Sequence, residues 1–119
     1  MPNSPEFDCQ FSFTPDNRAV VIALAGQMNP EAVAELNPQV QEVFRAGLRR
    51  FVFDLSELEY AGSLGLRLMV GLSNQVKPDG RVAVCGPNPK VRSMLTMTKL
   101  TEVLPEYPSR AAALQATGV

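Results

Sequence analysis

Ser63 is the residue of this chain best placed for chemistry. It lies in the stretch Phe51 to Leu72, FVFDLSELEYAGSLGLRLMVGL. That stretch reads as a buried strand, a short loop, and a serine opening an amphipathic helix. A hydroxyl at such a place sits beside unpaired backbone N–H groups and the positive end of the helix dipole. It can serve as a plain N-cap, worth about 1 kcal/mol of stability. It can also accept a phosphoryl group, and the two roles are compatible.

Other chemistry is scarce. The chain has no histidine, which removes the commonest general base and rules out Ser-His-Asp and Cys-His catalysis within it. The expectation is a protein that is not an enzyme, with no catalytic residue and no cofactor. Cys9 and Cys85 are the two cysteines. They lack CxxC spacing, fall inside apparent strands and read as small buried hydrophobes in a reducing compartment. Glu31, Glu57 and Glu59 have neither histidine neighbours nor regular loop spacing, so they read as solvated surface and no metal is expected. Asp54, at the end of a central strand, reads as a strand-end or loop-organising carboxylate. Gly65 reads as a point of close helix-to-sheet packing. Gly86-Pro87-Asn88-Pro89 opens a helix but lacks the lysine pattern of a phosphate-binding loop.

The elements that must position Ser63 follow from punctuation and periodicity. The chain has 119 residues, 45% hydrophobic and 19% charged, with a net charge of −1. This is the composition of one globular domain over 1–119, with a core at about 7–116 and no basic face for nucleic acid. No leader pattern and no apolar run of ~20 residues is visible, so a cytoplasmic protein without membrane insertion is expected. Phe7 to Thr14 and Arg18 to Ala25 read as strands of a hairpin around Pro15-Asp16-Asn17. A helix capped at Asn29 runs toward Ala46 on the stripe Val33, Leu36, Val40, Val43 and Phe44. Pro38 should kink or split it, with Asn37 as a second cap. Phe51 to Leu55 is a strand buried on both faces. The helix from Ser63 has the inner stripe Leu64, Leu68, Met69, Leu72 and Val76, and Lys77-Pro78-Asp79-Gly80 stops it. A strand at Arg81–Cys85 and a helix with Val91, Met94, Leu95 and Thr98 at helical spacing come next. A short edge strand at Val103-Leu104, limited by Pro105, and a last helix through Ala111 to Ala116 close the order ββαβαβαβα. That order implies an α/β fold: a mixed, mostly parallel sheet of about five strands with four helices mainly on one side.

Several segments in this order carry a resemblance to a known family. Tyr60-Ala61-Gly62-Ser63-Leu64-Gly65-Leu66 resembles the Asp-Ser-Ser-Gly-Leu opening of a helix in STAS domains. Gly26-Gln27-Met28-Asn29 is similar to the family's Gly-Glu-Leu-Asp after the second strand. Phe53-Asp54-Leu55-Ser56 and Gly86-Pro87-Asn88-Pro89-Lys90-Val91 are similar to its third-strand ending and its loop before the third helix. The similarity spans about residues 7 to 116. Gly62 stands where the family has an acidic residue, Leu64 where it has a second serine, and Asn29 where it has aspartate.

The resemblance implies an anti-sigma-factor antagonist. Such a module binds an anti-sigma factor with serine kinase activity, is switched off by phosphorylation, and is reset by a serine phosphatase. Carried over, Ser63 is the phosphoacceptor, and Asn29, Tyr60, Gly62, Ser63, Leu64 and Leu66 form the partner-binding surface. The alternative implied by the same family is an accessory subunit that binds the ATPase of a lipid-transport ABC complex without being phosphorylated.

Overall fold

The computed structural model describes residues 7–100 and 103–118. Strands β1 (Phe7–Phe13) and β2 (Ala19–Met28) are followed by α1 (Pro30–Arg45), β3 (Arg50–Ala61) and α2 (Ser63–Val76). Next come β4 (Arg81–Cys85), α3 (Pro89–Met97), β5 (Glu106–Tyr107) and α4 (Arg110–Ala116). The five strands form one sheet in the order β1-β2-β3-β4-β5. β1 pairs antiparallel with β2, and the remaining neighbours are parallel. The expected α/β fold and element order are therefore observed.

Strand alternation sorts the core into two layers. Val20, Ile22 and Leu24 of β2, Phe51, Phe53 and Leu55 of β3, and Val82 and Val84 of β4 face α1, α2 and α3. Those helices contribute Leu36 and Val40, then Leu66, Met69, Leu72 and Val76, then Val91 and Leu95. Val21, Val52, Ala83 and Cys85 point the other way and meet Ala113 of α4. Three helices cover one face, and the short α4 covers the centre of the other.

Three local expectations are corrected. α1 is one continuous helix containing Pro38, with no second cap at Asn37. Pro38 and Ala34, whose carbonyl loses its usual donor, are both exposed, so water can satisfy that carbonyl and the helix need not break. β3 does not stop at Leu55 but runs on to Ala61. The edge strand is Glu106–Tyr107, not Val103-Leu104. The amides of Val103 and Leu104 turn back to the Leu100 carbonyl at 3.0 and 2.7 Å, and Leu104 is buried. Pro105 then accepts from Val84 N–H at 3.0 Å, the one ladder role open to a proline. In α3, Val91 and Leu95 are buried and Thr98 is the exposed C-cap.

Gly80 fixes the turn between α2 and β4. A Cβ there would stand 2.0 Å from the Arg49 carbonyl oxygen and 2.8 Å from Val76 Cβ. Only glycine allows that approach.

Candidate functional site

β3 outruns its neighbour on one side. Its pairing with β4 ends at Asp54↔Cys85, while its pairing with β2 continues to Met28↔Ala61. The β2–β3 pair therefore projects beyond the sheet and delivers the chain to α1 and α2 at one tip. Two extra residues sit in β3 along this projection. Ala23 to Ala25 is two steps against three for Asp54 to Glu57, and Gly26 to Gln27 is one step against two for Leu58 to Tyr60. Such bulges twist and re-aim a strand.

Asp54 holds the first bulge together. Its Oδ1 accepts from Ser56 N–H at 3.0 Å and from Ser56 Oγ–H at 2.8 Å. Its Oδ2 accepts from Arg110 Nε–H of α4 at 2.6 Å. Burial pushes its carboxyl upward, but the Ser56 hydroxyl, the Ser56 amide and Arg110 together hold it below the usual carboxylate range. Asp54 thus organises a bulge within β3, not a strand end or a loop as expected. Cys85 lies beside it. Burial first, and then the Asp54 charge, push that thiol up to about 11, which leaves it un-ionised and poorly nucleophilic at neutral pH.

Asn88 braces the projecting part of β3. Its Nδ2 donates to the Leu58 carbonyl at 3.0 Å, while its Oδ1 accepts from Val91 N–H at 2.8 Å as the N-cap of α3. Asn29 caps α1 in the same way, accepting from Ala32 N–H at 2.9 Å. The start of α2 packs on the end of β2 because Gly65 seats on Met28. A Cβ at position 65 would come within 2.6 Å of Met28 Sδ.

Ser63 is exposed, but it is not the N-cap. Gly62 takes that position in extended conformation, and Ser63 is the first helical residue. No side chain caps α2, whereas α1, α3 and α4 are capped by Asn29, Asn88 and Ser109. The cap reading of Ser63 is therefore replaced: its hydroxyl stands at an uncapped helix start.

The six residues expected to meet a partner divide. Tyr60 and Leu64 are 44% and 41% exposed, the large apolar side chains of the tip. Gly62 and Asn29 are half-buried. The Tyr60 ring runs alongside the backbone at Gly62, where a Cβ would stand 3.4 Å from Tyr60 Cε2. Leu66 does not belong to this surface. It is 4% exposed and packs in the core, because α2 turns the stripe Leu66, Met69, Leu72 and Val76 inward and Leu64 outward. Of the expected inner stripe, Met69, Leu72 and Val76 are buried and Leu68 packs half-buried against the core, whereas Leu64 faces solvent and Leu66 faces inward instead.

Two parts of this site escaped the sequence reading. Arg110 is 56 residues from Asp54 and carries no local sign of the pairing. Ser56 was findable, since Asp-x-Ser is a spacing at which a carboxylate can accept from the backbone two residues on.

Residues 10–113 match the family model of the STAS domain. The chain belongs to the STAS-domain family. It is 29% identical over 98 residues to BtrV of Bordetella bronchiseptica, covering 82% of this chain and 84% of BtrV. It is 29% identical over 99 residues to an anti-sigma F factor antagonist of Paenibacillus polymyxa, covering 80% and 83% of the two chains. Among solved structures, the unphosphorylated form of the anti-sigma factor antagonist SpoIIAA superposes with a TM-score of 0.80 at 19% identity, covering 94% of this chain and 98% of that one. The Bacillus SpoIIAA has also been solved in its phosphorylated form, at a TM-score of 0.72. Among the described residues of this STAS domain, no helix is long and apolar enough to cross a membrane.

Proposed function

We propose that this STAS domain is an anti-sigma-factor antagonist whose binding surface is the tip formed by β2, β3 and the start of α2. The observation that carries this is the exposed Ser63 at the uncapped N-terminus of α2, flanked by exposed Tyr60 and Leu64. The name of the Paenibacillus polymyxa relative and the existence of SpoIIAA in two phosphorylation states support it. The partner is an anti-sigma factor with serine kinase activity. Ser63 is the phosphoacceptor, and Asn29, Tyr60, Gly62 and Leu64 contact the partner around it. A serine phosphatase resets the switch.

The chemistry is local. A phosphoryl group on Ser63 adds about −1.5 to −2 charge where the surface otherwise presents a hydroxyl, an aromatic ring and an aliphatic side chain. The backbone N–H groups of the first turn of α2, unserved by any side-chain cap, can accept the phosphate without refolding. A partner moulded to Tyr60, Ser63 and Leu64 would then lose its fit through charge and desolvation alone.

Incubation of the protein with the kinase-type anti-sigma factor from the same genome and ATP tests the reading. One phosphate on Ser63, absent in Ser63→Ala, is expected, with loss of the complex on phosphorylation. Ser63→Ala should change thermal stability by less than about 0.5 kcal/mol, because the hydroxyl caps nothing. Stable association with a transport ATPase and no phosphate on Ser63 would replace this function by the accessory-subunit alternative.

A further inference from the structure

β1 is an open sheet edge of unusual plainness. Of the two edges, β5 is two residues long, whereas β1 runs seven residues in unbroken register with β2 from Phe7↔Gly26 to Phe13↔Val20. Among the described residues no strand pairs with its outer side. Exposed edges are usually blunted by lysine, proline or a bulge. Phe7–Phe13, FDCQFSF, has none of these and carries Asp8 as its one charge.

An apolar groove lies next to that edge. Phe11 and Phe13 of β1 and Val43 and Ala46 at the end of α1 line a cavity of about 420 Å³, with Gln39 and Glu42 on its rim. Phe13 is 49% exposed. The groove is at the end of α1 remote from Asn29, so an occupant there would leave the Ser63 tip free.

We propose that this edge is a homodimer interface, occupied by β1 of a second copy in antiparallel pairing about a two-fold axis through Gln10. The strand is self-complementary in that register. Phe7 faces Phe13 of the second copy, Cys9 faces Phe11, Asp8 faces the neutral Ser12, and Gln10 faces itself. No like charges oppose one another across the strands, which cross-strand pairing requires. The apolar odd-numbered residues of both strands fall on one face, as directly opposed residues in a sheet must. That is the face of β1 that meets α1, so Phe7 and Cys9 of each copy lie against the groove of the other. The two sheets become one ten-stranded sheet, five strands from each copy, carrying two Ser63 tips.

Gln10 gives the test, being exposed and on the proposed axis. Sedimentation of the intact chain should show a monomer–dimer equilibrium. Gln10→Lys places two ammonium groups opposite each other and should weaken dimerisation by roughly tenfold, with an unchanged melting curve at dilute concentration. Gln10→Cys should form an intermolecular disulfide under mild oxidation, since opposed Cα atoms in antiparallel pairs are about 4.5–5.5 Å apart. Gln115→Cys on α4 is the control. A monomer at millimolar concentration, a dimer indifferent to Gln10→Lys, or cross-linking no faster at position 10 than at position 115 would each overturn the proposal.

Discussion

At the scale of single residues, Asp54 shows how a buried charge organises a surface. Its two oxygens serve three donors: the Ser56 amide, the Ser56 hydroxyl and Arg110. Replacing it strands a backbone N–H at the bulge and an arginine over the sheet. Asp54→Ala should therefore cost about 2 kcal/mol, read from chemical denaturation at neutral pH. The sign of the pH dependence follows from its lowered pKa. A carboxyl whose folded pKa lies below its unfolded value stabilises fully above the unfolded value. That contribution fades as pH falls from about 4 through the still lower folded pKa. The wild-type protein should thus lose more stability than Asp54→Ala between neutrality and that acid range. Equal loss in the two proteins would remove Asp54 from this role.

At the scale of elements, asparagine caps do unequal work. Asn29 holds only the first turn of α1, so Asn29→Ala should cost about 1 kcal/mol. Asn88 holds the first turn of α3 and also the Leu58 carbonyl of the projecting strand. Asn88→Ala should cost about 2 kcal/mol and speed amide exchange in residues 56–61, which Asn29→Ala should leave unchanged. The elements themselves were largely legible. Hydrophobic alternation and proline or glycine punctuation mark the hairpin, α1, β4 and α4 to within a few residues. What misled was composition used as a boundary. Ser56-Glu57-Leu58-Glu59-Tyr60 looks like loop because it is polar, yet it is strand. Its partner β2 continues alongside it while β4 does not, so one side is left to water and to Asn88. Pro38 looked like a break for the same reason: sequence does not show that the affected turn faces solvent.

At the scale of the whole molecule, α4 is a patch on the second face of the sheet. Its Ala113 is buried against Val21, Val52, Ala83 and Cys85. Arg110 anchors its start to Asp54, and Arg50 Nε–H donates to the Thr117 carbonyl at 2.8 Å at its end. In the intact protein Cys9, half-buried, should react with a thiol reagent ahead of buried Cys85. Ala113→Asp forces a carboxylate into an apolar contact, costing about 3 kcal/mol, and should bring Cys85 to reactivity before global unfolding. Mass spectrometry of alkylated peptides reads both thiols, and protection of Cys85 until the main transition would show that α4 has no independent opening.

By itself the sequence determined the α/β class, the strand and helix order, the family resemblance and the prominence of Ser63, because these rest on local periodicity, turn chemistry and short motifs. Tertiary structure alone decided the rest. Leu66 and Leu64 stand two residues apart in an apolar run, and only the docking of Gly65 on Met28 turns the first inward and the second outward. Ser63 could be a cap or a free hydroxyl until the backbone placed Gly62 in the capping position. Asp54 had no visible partner until the sheet and α4 brought Arg110 across 56 residues. Periodicity reports which residues are apolar and how often they recur, but the phase of a helix against a sheet is set by packing between elements distant in the chain.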